Sequence, residues 1–159
     1  IEHEHSQIIS LPIVPEIEAN ELEQEKKNKR AEGQCIYCKL AEFEASNVVF
    51  ETDNFSVVAV PFARFSYEVW IIPKKHIKTM LELNASAGFE LMQIIKRLIS
   101  KSEGIAPDYN VIYHNAPKGT DLHFHIEFFP RTSDWAGLEL GAGIIVRSKT
   151  EQDAIEKYK

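Results

Sequence analysis

The chain has 159 residues, of which 44% are hydrophobic and 26% are charged, as in an ordinary folded domain with one hydrophobic core. A formal net charge of −6 excludes a general electrostatic attraction to nucleic acid. No apolar run approaches the roughly 20 residues that cross a bilayer, and we find no secretory signal. The composition therefore predicts a cytoplasmic protein without nucleic-acid or membrane partners. Because the chain begins with Ile1 rather than Met, we also expect processing or a longer parent polypeptide.

The first half of the chain is predicted to contain one helix followed by strands. Residues 1–14 are rich in β-branched residues and predict an extended segment. The charged run 16–32 predicts a helix that ends at Gly33. Short runs of β-branched and aromatic residues then predict three strands, at 47–51, 55–60 and 67–73.

The second half begins with the clearest helical pattern of the sequence. Apolar residues recur at helical spacing over 85–102, with Asn84 as a candidate N-cap and Gly104 as a stop signal. Two strands and a short last helix follow, at 109–114, at 122–129 and from Thr150. The order of elements predicts an α+β fold with a mostly antiparallel sheet and helices packed on it.

The two cysteines, Cys35 and Cys38, are separated by two residues. In a chain without a secretory signal this spacing is more typical of half a metal site than of a disulfide.

The histidines form a second kind of pattern. Two H-x-H pairs are each followed by a third polar residue at the same spacing: His3, His5 and Gln7, and His123, His125 and Glu127. On a strand, residues two apart face the same side, so each motif predicts a row of polar side chains. Burying such a row is costly unless its members have partners, which favours catalysis or metal binding.

The second row lies in the sequence D-L-H-F-H-I-E-F-F-P-R, at 121–131, which resembles the signature strand of the histidine-triad superfamily. Glu127 stands where that signature has its third histidine. The segments C-I-Y-C-K-L at 35–40 and I-I-P-K-K-H-I at 71–77 resemble the same superfamily in order and spacing. The resemblance implies a histidine-triad-like fold.

The first row, H-E-H-S-Q at 3–7, resembles the H-x-H-x-Q motif of galactose-1-phosphate uridylyltransferases. The segments H-N-A-P at 114–117 and L-E-L-G-A-G at 138–143 resemble later parts of that family. Members contain two histidine-triad-like halves, and this motif closes the first. The resemblance implies a catalytic-motif strand and connecting helix over 1–33, followed by a carboxyl-terminal domain over 34–159.

By this resemblance, His5 is the nucleophile that takes UMP from a UDP-hexose, and a hexose 1-phosphate then receives it. Gln7 would bind a phosphoryl oxygen, and Glu139 would hydrogen-bond sugar hydroxyls. The chemistry suits the residue, because neutral imidazole attacks phosphorus near pH 7 and forms a labile adduct. The implied partners are the two sugar substrates and either a second copy of the chain or a missing amino-terminal half.

The resemblance also implies metal sites. Histidine-triad proteins with this C-x2-C hold zinc through four residues that correspond to Cys35, Cys38, His76 and His123. Uridylyltransferases hold iron or zinc through a set that corresponds to Glu21, His114, His123 and His125. Because one His123 can hardly serve both metals, we favour the cysteine set, whose thiolates bind zinc more tightly than a carboxylate does. In the family the residue that corresponds to His3 ligates a structural zinc whose partners lie in the first half, so His3 would be unligated here or its site would need another polypeptide.

Two other functions remain open from the sequence. A histidine-triad nucleotide hydrolase or phosphoramidase would use His125, the middle histidine of the second row, as its nucleophile. A non-catalytic, metal-stabilised half-domain would instead complete the site of a partner. The residue that becomes nucleotidylated, His5 or His125, separates the two enzymatic functions.

Overall fold

A five-stranded antiparallel sheet, in the order β1-β2-β3-β5-β4, is the centre of the domain. The computed structural model describes residues 3–42 and 47–159. The strands are β1 (Val48–Glu51), β2 (Phe55–Val58), β3 (Val69–Pro73), β4 (Tyr109–His114) and β5 (His125–Pro130). The helices are α1 (Glu16–Glu32), α2 (Ile36–Ala41), α3 (Ala85–Ser102), α4 (Gly137–Ala142) and α5 (Glu151–Tyr158), with a 3₁₀ turn at Met80–Glu82. The predicted α+β class is confirmed.

The sheet is buried on both faces because helices cover each side. On β3, Val69 and Ile71 pack into a core with α3 and α5, whereas Trp70 and Ile72 pack into a second core with α1 and α2. This division follows from the alternation of side chains along a strand. All five residues of β3 are therefore buried, as expected for the central strand of a sheet covered on both sides.

The predicted capping residues mark the start of α3 and the end of α1. The Asn84 side chain accepts a hydrogen bond from the Ala87 amide at 2.9 Å, which caps α3. At the end of α1, Gly33 has φ of 72° and its amide donates to the Lys29 carbonyl at 2.9 Å. Both helices have the predicted bounds.

Other elements differ from the prediction at their ends. Strand β2 ends at Val58, and β3 begins only at Val69. Strand β5 begins at His125 rather than at residue 122, because the Phe124 amide donates to the Ile77 carbonyl at 2.7 Å and leaves the ladder with β4. The sequence did not predict α2 and α4, which have only six residues each.

Residues 3–15 form no strand and are not paired with any strand of the sheet. Among the described residues, no helix has the length and apolar character needed to span a membrane.

Replacing Leu98 with Ala tests the α3 core. Leu98 is fully buried in the cluster that joins α3 to the sheet, and the cavity should lower the free energy of unfolding by about 2–5 kcal/mol. Phe89→Ala, on the same helix but 68% exposed, is the matched control. Denaturant unfolding of both variants measures the difference; equal losses would contradict this packing.

Candidate functional site

The two cysteines and two histidines form a compact cluster beside the sheet. Cys35 is the N-cap of α2 and Cys38 lies in its first turns, while His76 follows β3 and His123 precedes β5. The His123 Nδ1 lies 3.4 Å from Cys38 Sγ and 3.8 Å from Cys35 Sγ, and the His76 Nδ1 lies 3.5 Å from Cys38 Sγ. All four ligand atoms lie within 4.8 Å of one another.

These separations suit a tetrahedral ion. With zinc–sulfur bonds near 2.3 Å and zinc–nitrogen bonds near 2.0 Å, tetrahedral geometry places sulfur and nitrogen ligands roughly 3.5 Å apart. Burial raises the pKa of Cys35 to about 12. Burial, and then the nearby His76 and His125, lower the pKa of His123 to about 3. The imidazole is thus in the neutral form that binds metals, and a bound cation would be needed to stabilise the thiolates.

A second cluster lies on the same side of the sheet, under α1. Glu21 projects from α1, His114 ends β4, and His125 and Glu127 occupy the same face of β5. The His114 Nδ1 lies 3.2 Å from Glu21 Oε2, and its Nε2 lies 3.7 Å from Glu127 Oε1. The His125 Nε2 lies 3.8 Å from Glu21 Oε1. Two carboxylates and two imidazoles therefore converge at one buried point.

The charges of this cluster are balanced by protein groups. Burial disfavours the charged forms of both His114 and Glu21. The carboxylates of Glu127 and Glu21 stabilise the protonated His114 by more than burial destabilises it, which raises the pKa of His114 to about 9. Hydrogen bonds and charge attraction from His114 and His125 likewise exceed the effect of burial on Glu21, which lowers the pKa of Glu21 to about 2. Arg64 donates to Glu127 Oε2 at 2.6 Å, and His114 and Arg64 together lower the pKa of Glu127 despite its burial.

His125 is enclosed by aromatic rings. Its imidazole stacks on Tyr37 at 4.4 Å and on His114 at 4.5 Å between ring centroids, and it is completely buried. Its Nδ1 is 3.0 Å from the His123 carbonyl, which makes Nδ1 the donor and leaves Nε2 directed at Glu21.

The structure divides the predicted H-x-H-x-E row between the two clusters. Because β5 begins at His125, His123 precedes the strand and contacts the cysteines, while His125 and Glu127 share the other cluster. The predicted set of Glu21, His114, His123 and His125 is therefore not brought together as written: Glu127 occupies the place of His123. In the structure His123 is grouped with the cysteines.

Glu127 and Arg64 had no predicted role at this site. Glu127 could have been predicted from its spacing, because it lies two residues after His125 and so shares a strand face with it. Arg64 lies in the β2–β3 connection, and its pairing with Glu127 depends on tertiary structure.

The residues with predicted catalytic roles lie apart from both clusters. His3, His5 and Gln7 are exposed in the segment before α1. The His5 Nδ1 lies 3.4 Å from the His3 carbonyl, the same relation that His125 has to His123. Glu139 is half-buried on α4, where its carboxylate accepts from the Ala136 amide at 3.0 Å. It borders a cleft of about 310 Å³ that is also lined by Arg64, Arg131 and Trp135.

Replacing Glu21 with Gln tests the buried ion pair with His114. We expect the loss of one partner to destabilise the chain by about 3 kcal/mol at pH 6. The His114 contribution is complete below its ordinary pKa of 6.5 and is lost as the pH rises through about 9. The Glu21 contribution is complete above 4.5 and is lost as the pH falls toward 2.

The measurement is the difference in unfolding free energy between wild type and variant across this pH range, in a metal chelator. Glu23→Gln is the control, because Glu23 lies on the same helix but pairs with Lys27 in solvent. A difference that stays constant from pH 6 to 10 would contradict the pairing.

Comparisons with known proteins agree on one family. The sequence matches the family described as galactose-1-phosphate uridyl transferase, C-terminal domain, over residues 19–132. The galactose-1-phosphate uridylyltransferase of Thermotoga maritima is 27% identical over 175 residues, covering 99% of this chain and 54% of the relative. An ADP-glucose phosphorylase of Arabidopsis thaliana is 28% identical over 160 residues, covering 95% of this chain and 45% of the relative.

Solved structures support the same assignment. A uridylyltransferase structure superposes with a TM-score of 0.81 at 26% identity, covering 94% of this chain and 51% of that one. A zinc-bound histidine triad family protein from Mycobacterium smegmatis shares the fold, with a TM-score of 0.58 at 16% identity and coverage of 79% and 91%. The chain spans about half the length of the curated relatives it matches. Its fold is histidine-triad-like, and the chain belongs to the family of galactose-1-phosphate uridyl transferase C-terminal domains.

Proposed function

We propose that the chain acts in a nucleotidyltransferase that exchanges UMP between a UDP-hexose and a hexose 1-phosphate, a transferase of galactose metabolism. The family match over residues 19–132 carries this proposal. The H-x-H-x-Q motif at residues 3–7 also supports it. The motif lies just before the matched region, which begins at residue 19, within α1. A cytoplasmic location is part of the same proposal.

The proposed nucleophile is His5 Nε2. With Nδ1 turned toward the His3 carbonyl at 3.4 Å, the lone pair of Nε2 is available. It forms a bond to the α-phosphorus while the bond from that phosphorus to the β-phosphate oxygen breaks, which releases hexose 1-phosphate. The phosphate of a second hexose 1-phosphate then displaces the imidazole and takes the UMP. Gln7 would donate its amide hydrogen to a phosphoryl oxygen as charge develops.

Glu139 is the proposed contact with sugar hydroxyls. It lines the same cleft as Arg64 and Arg131, so an acidic residue and two basic residues border one space. One carboxylate oxygen of Glu139 caps α4, which would leave the other to accept from a hydroxyl.

The segment that carries His5 would need a second surface to become an active site. It exposes Ile8, Ile9 and Ile13, which are 101%, 71% and 70% accessible. We propose that residues 1–33 belong functionally with an amino-terminal half or a second copy of the chain, and that residues 34–159 form the carboxyl-terminal domain. Burial of these isoleucines would favour that association.

Zinc is the metal proposed for Cys35, Cys38, His76 and His123. Two thiolates and two imidazoles make a closed tetrahedral set, which suits a structural role because no position is left open for substrate. The bound ion would stabilise the connections that carry its ligands. The second cluster, Glu21, His114, His125 and Glu127, is the alternative place for zinc or iron. Its charge is already balanced by His114 and Arg64, which favours the cysteine set.

The hydrolase alternative, with His125 as nucleophile, receives less support from the geometry. His125 is fully buried between aromatic rings. A cavity of about 420 Å³ between α1 and the sheet is lined by Glu21 and Glu127 but not by His125. A phosphate would have to displace Glu21 to reach its Nε2.

A second candidate substrate pair follows from the similarity to an ADP-glucose phosphorylase. The same histidine chemistry would then transfer AMP from ADP-glucose to inorganic phosphate. The two proposals differ in nucleotide base and in acceptor, and share His5.

Incubation with UDP-glucose labelled in the α-phosphate tests the nucleophile. We expect an acid-labile UMP adduct on His5, mapped by mass spectrometry, and no adduct in His5→Asn. ADP-glucose in parallel tests the second substrate pair. His125→Asn is the matched control, since it removes the other middle histidine of an H-x-H pair. An adduct on His125 would instead support the hydrolase, and no adduct with either nucleotide would support the non-catalytic half-domain.

Metal content tests the zinc proposal. Wild type should bind one zinc per chain, and Cys38→Ser or His123→Ala should abolish tight binding because each removes a ligand. His114→Ala should retain the zinc, because His114 belongs to the other cluster. Elemental analysis after dialysis against a weak chelator gives the stoichiometry. Loss of metal from His114→Ala but not from His123→Ala would move the site to the second cluster.

A further inference from the structure

Asp121 lies at the centre of a chain of charged groups beside the cysteine–histidine cluster. It is in the β4–β5 connection, two residues before His123. Its Oδ2 lies 2.7 Å from Lys29 Nζ on α1. Its Oδ1 lies 3.2 Å from Lys78 Nζ and 3.4 Å from His76 Nε2. The carboxylate therefore bridges a helix and the segment that carries one of the proposed metal ligands.

The two nitrogens of His76 face different partners. Nδ1 lies 3.5 Å from Cys38 Sγ, on the side where the four ligand atoms converge. Nε2 is buried and has no hydrogen bond of normal geometry among the described residues, although the Asp121 oxygen is 3.4 Å away. If Nδ1 supplies its lone pair to a metal, Nε2 must carry the proton and needs an acceptor. Asp121 is placed to be that acceptor after a small rotation of the ring.

We propose that Asp121 is a positioning residue for metal binding, which holds the His76 proton on Nε2 and thereby directs Nδ1 to the ion. The proposal rests on the proposed zinc site and deepens it. A carboxylate behind a ligating imidazole fixes the tautomer and ring orientation and increases the basicity of the ligand. Asp121 itself does not touch the metal.

Lys29 connects this carboxylate to the opposite side of the site. Its ammonium lies 3.2 Å from Glu25 Oε1, and Glu25 Oε2 accepts from the Ile36 amide at 3.0 Å. Ile36 lies inside the C-x2-C segment, so α1 is tied to the cysteine turn through Glu25 and to His76 through Lys29 and Asp121. Metal binding should consequently hold α1 more firmly on the domain.

The test compares the zinc affinity of Asp121→Ala, Asp121→Asn and Asp134→Ala by competition with a chromophoric chelator. Asp134 is the matched control, because it lies on the surface and faces Arg131. We expect a 10- to 100-fold weaker zinc affinity for Asp121→Ala. The loss should be smaller for Asp121→Asn, whose amide oxygen still accepts the Nε2 hydrogen. Asp134→Ala should match wild type.

Cobalt substitution provides a readout that a purely structural role would not change. We expect both Asp121 variants at saturating Co²⁺ to keep the thiolate charge-transfer bands of a two-cysteine site, with ligand-field bands shifted in Asp121→Ala. Amide exchange along α1 should slow on zinc addition in wild type, and less so in Asp121→Ala.

The outcomes separate the inference from its basis. If wild type fails to bind zinc, the proposed metal site is wrong and Asp121 has no such role. If wild type binds zinc and Asp121→Ala stays within twofold of Asp134→Ala, the metal site stands and only the role of Asp121 is refuted. Equal losses in Asp121→Asn and Asp121→Ala would also refute the acceptor role.

Discussion

Six carboxylate and imidazole side chains in the described part of the chain are almost completely removed from water: Glu25, Glu68, His114, His123, His125 and Glu127. Burial without a partner would cost several kcal/mol for each charged group, so their mutual arrangement constrains everything packed around them. Glu68 accepts from the Trp70 indole at 2.7 Å and from the Arg64 amide at 2.8 Å. Glu25 pairs with Lys29 and accepts from the Ile36 amide. The three imidazoles and Glu127 lie in the two clusters described above.

Strand alternation assigns these groups to one side of the sheet. On β5, Ile126 and Phe128 enter the apolar core under α3, whereas His125 and Glu127 face α1 and α2. The division matches that of β3, where Trp70 stacks on His125 at 5.0 Å between ring centroids. One face of the sheet thus supplies stability by burying hydrocarbon, and the other collects the groups suited to metal or proton chemistry.

Helix α1 is unusual because it packs through very few apolar contacts. Its buried residues are Leu22 and Glu25. Ion pairs and hydrogen bonds from Glu21, Glu25 and Lys29 hold the rest of the helix over the polar face of the sheet. Such contacts weaken when their partners are neutralised or moved. The contacts that α1 makes with the rest of the chain therefore include residues of both clusters or their direct partners.

Local signals in the sequence predicted the two long helices, the last helix, the approximate positions of the five strands and the family resemblance. The apolar stripe of α3, the Asn84 cap and Gly33 favour helix formation or helix ends through contacts a few residues apart. They can therefore be recognised from the sequence alone. The grouping of Cys35, Cys38, His76 and His123 was predicted from a family resemblance. No local pattern could predict it, because His76 lies 41 positions after Cys35 and His123 lies 85 positions after Cys38.

Tertiary structure alone decided how the second histidine row is divided. Sequence spacing placed His123, His125 and Glu127 on one strand face, but the hydrogen bond from Phe124 to Ile77 starts β5 at His125. With β5 starting at His125, His123 lies against the cysteines and Glu127 completes the other cluster. Arg64 and Asp121 acquire their roles in the same way, because their partners are brought close only by the packed sheet and α1. Periodicity predicts the direction of a side chain along its own strand, but a contact between distant segments determines where that strand begins.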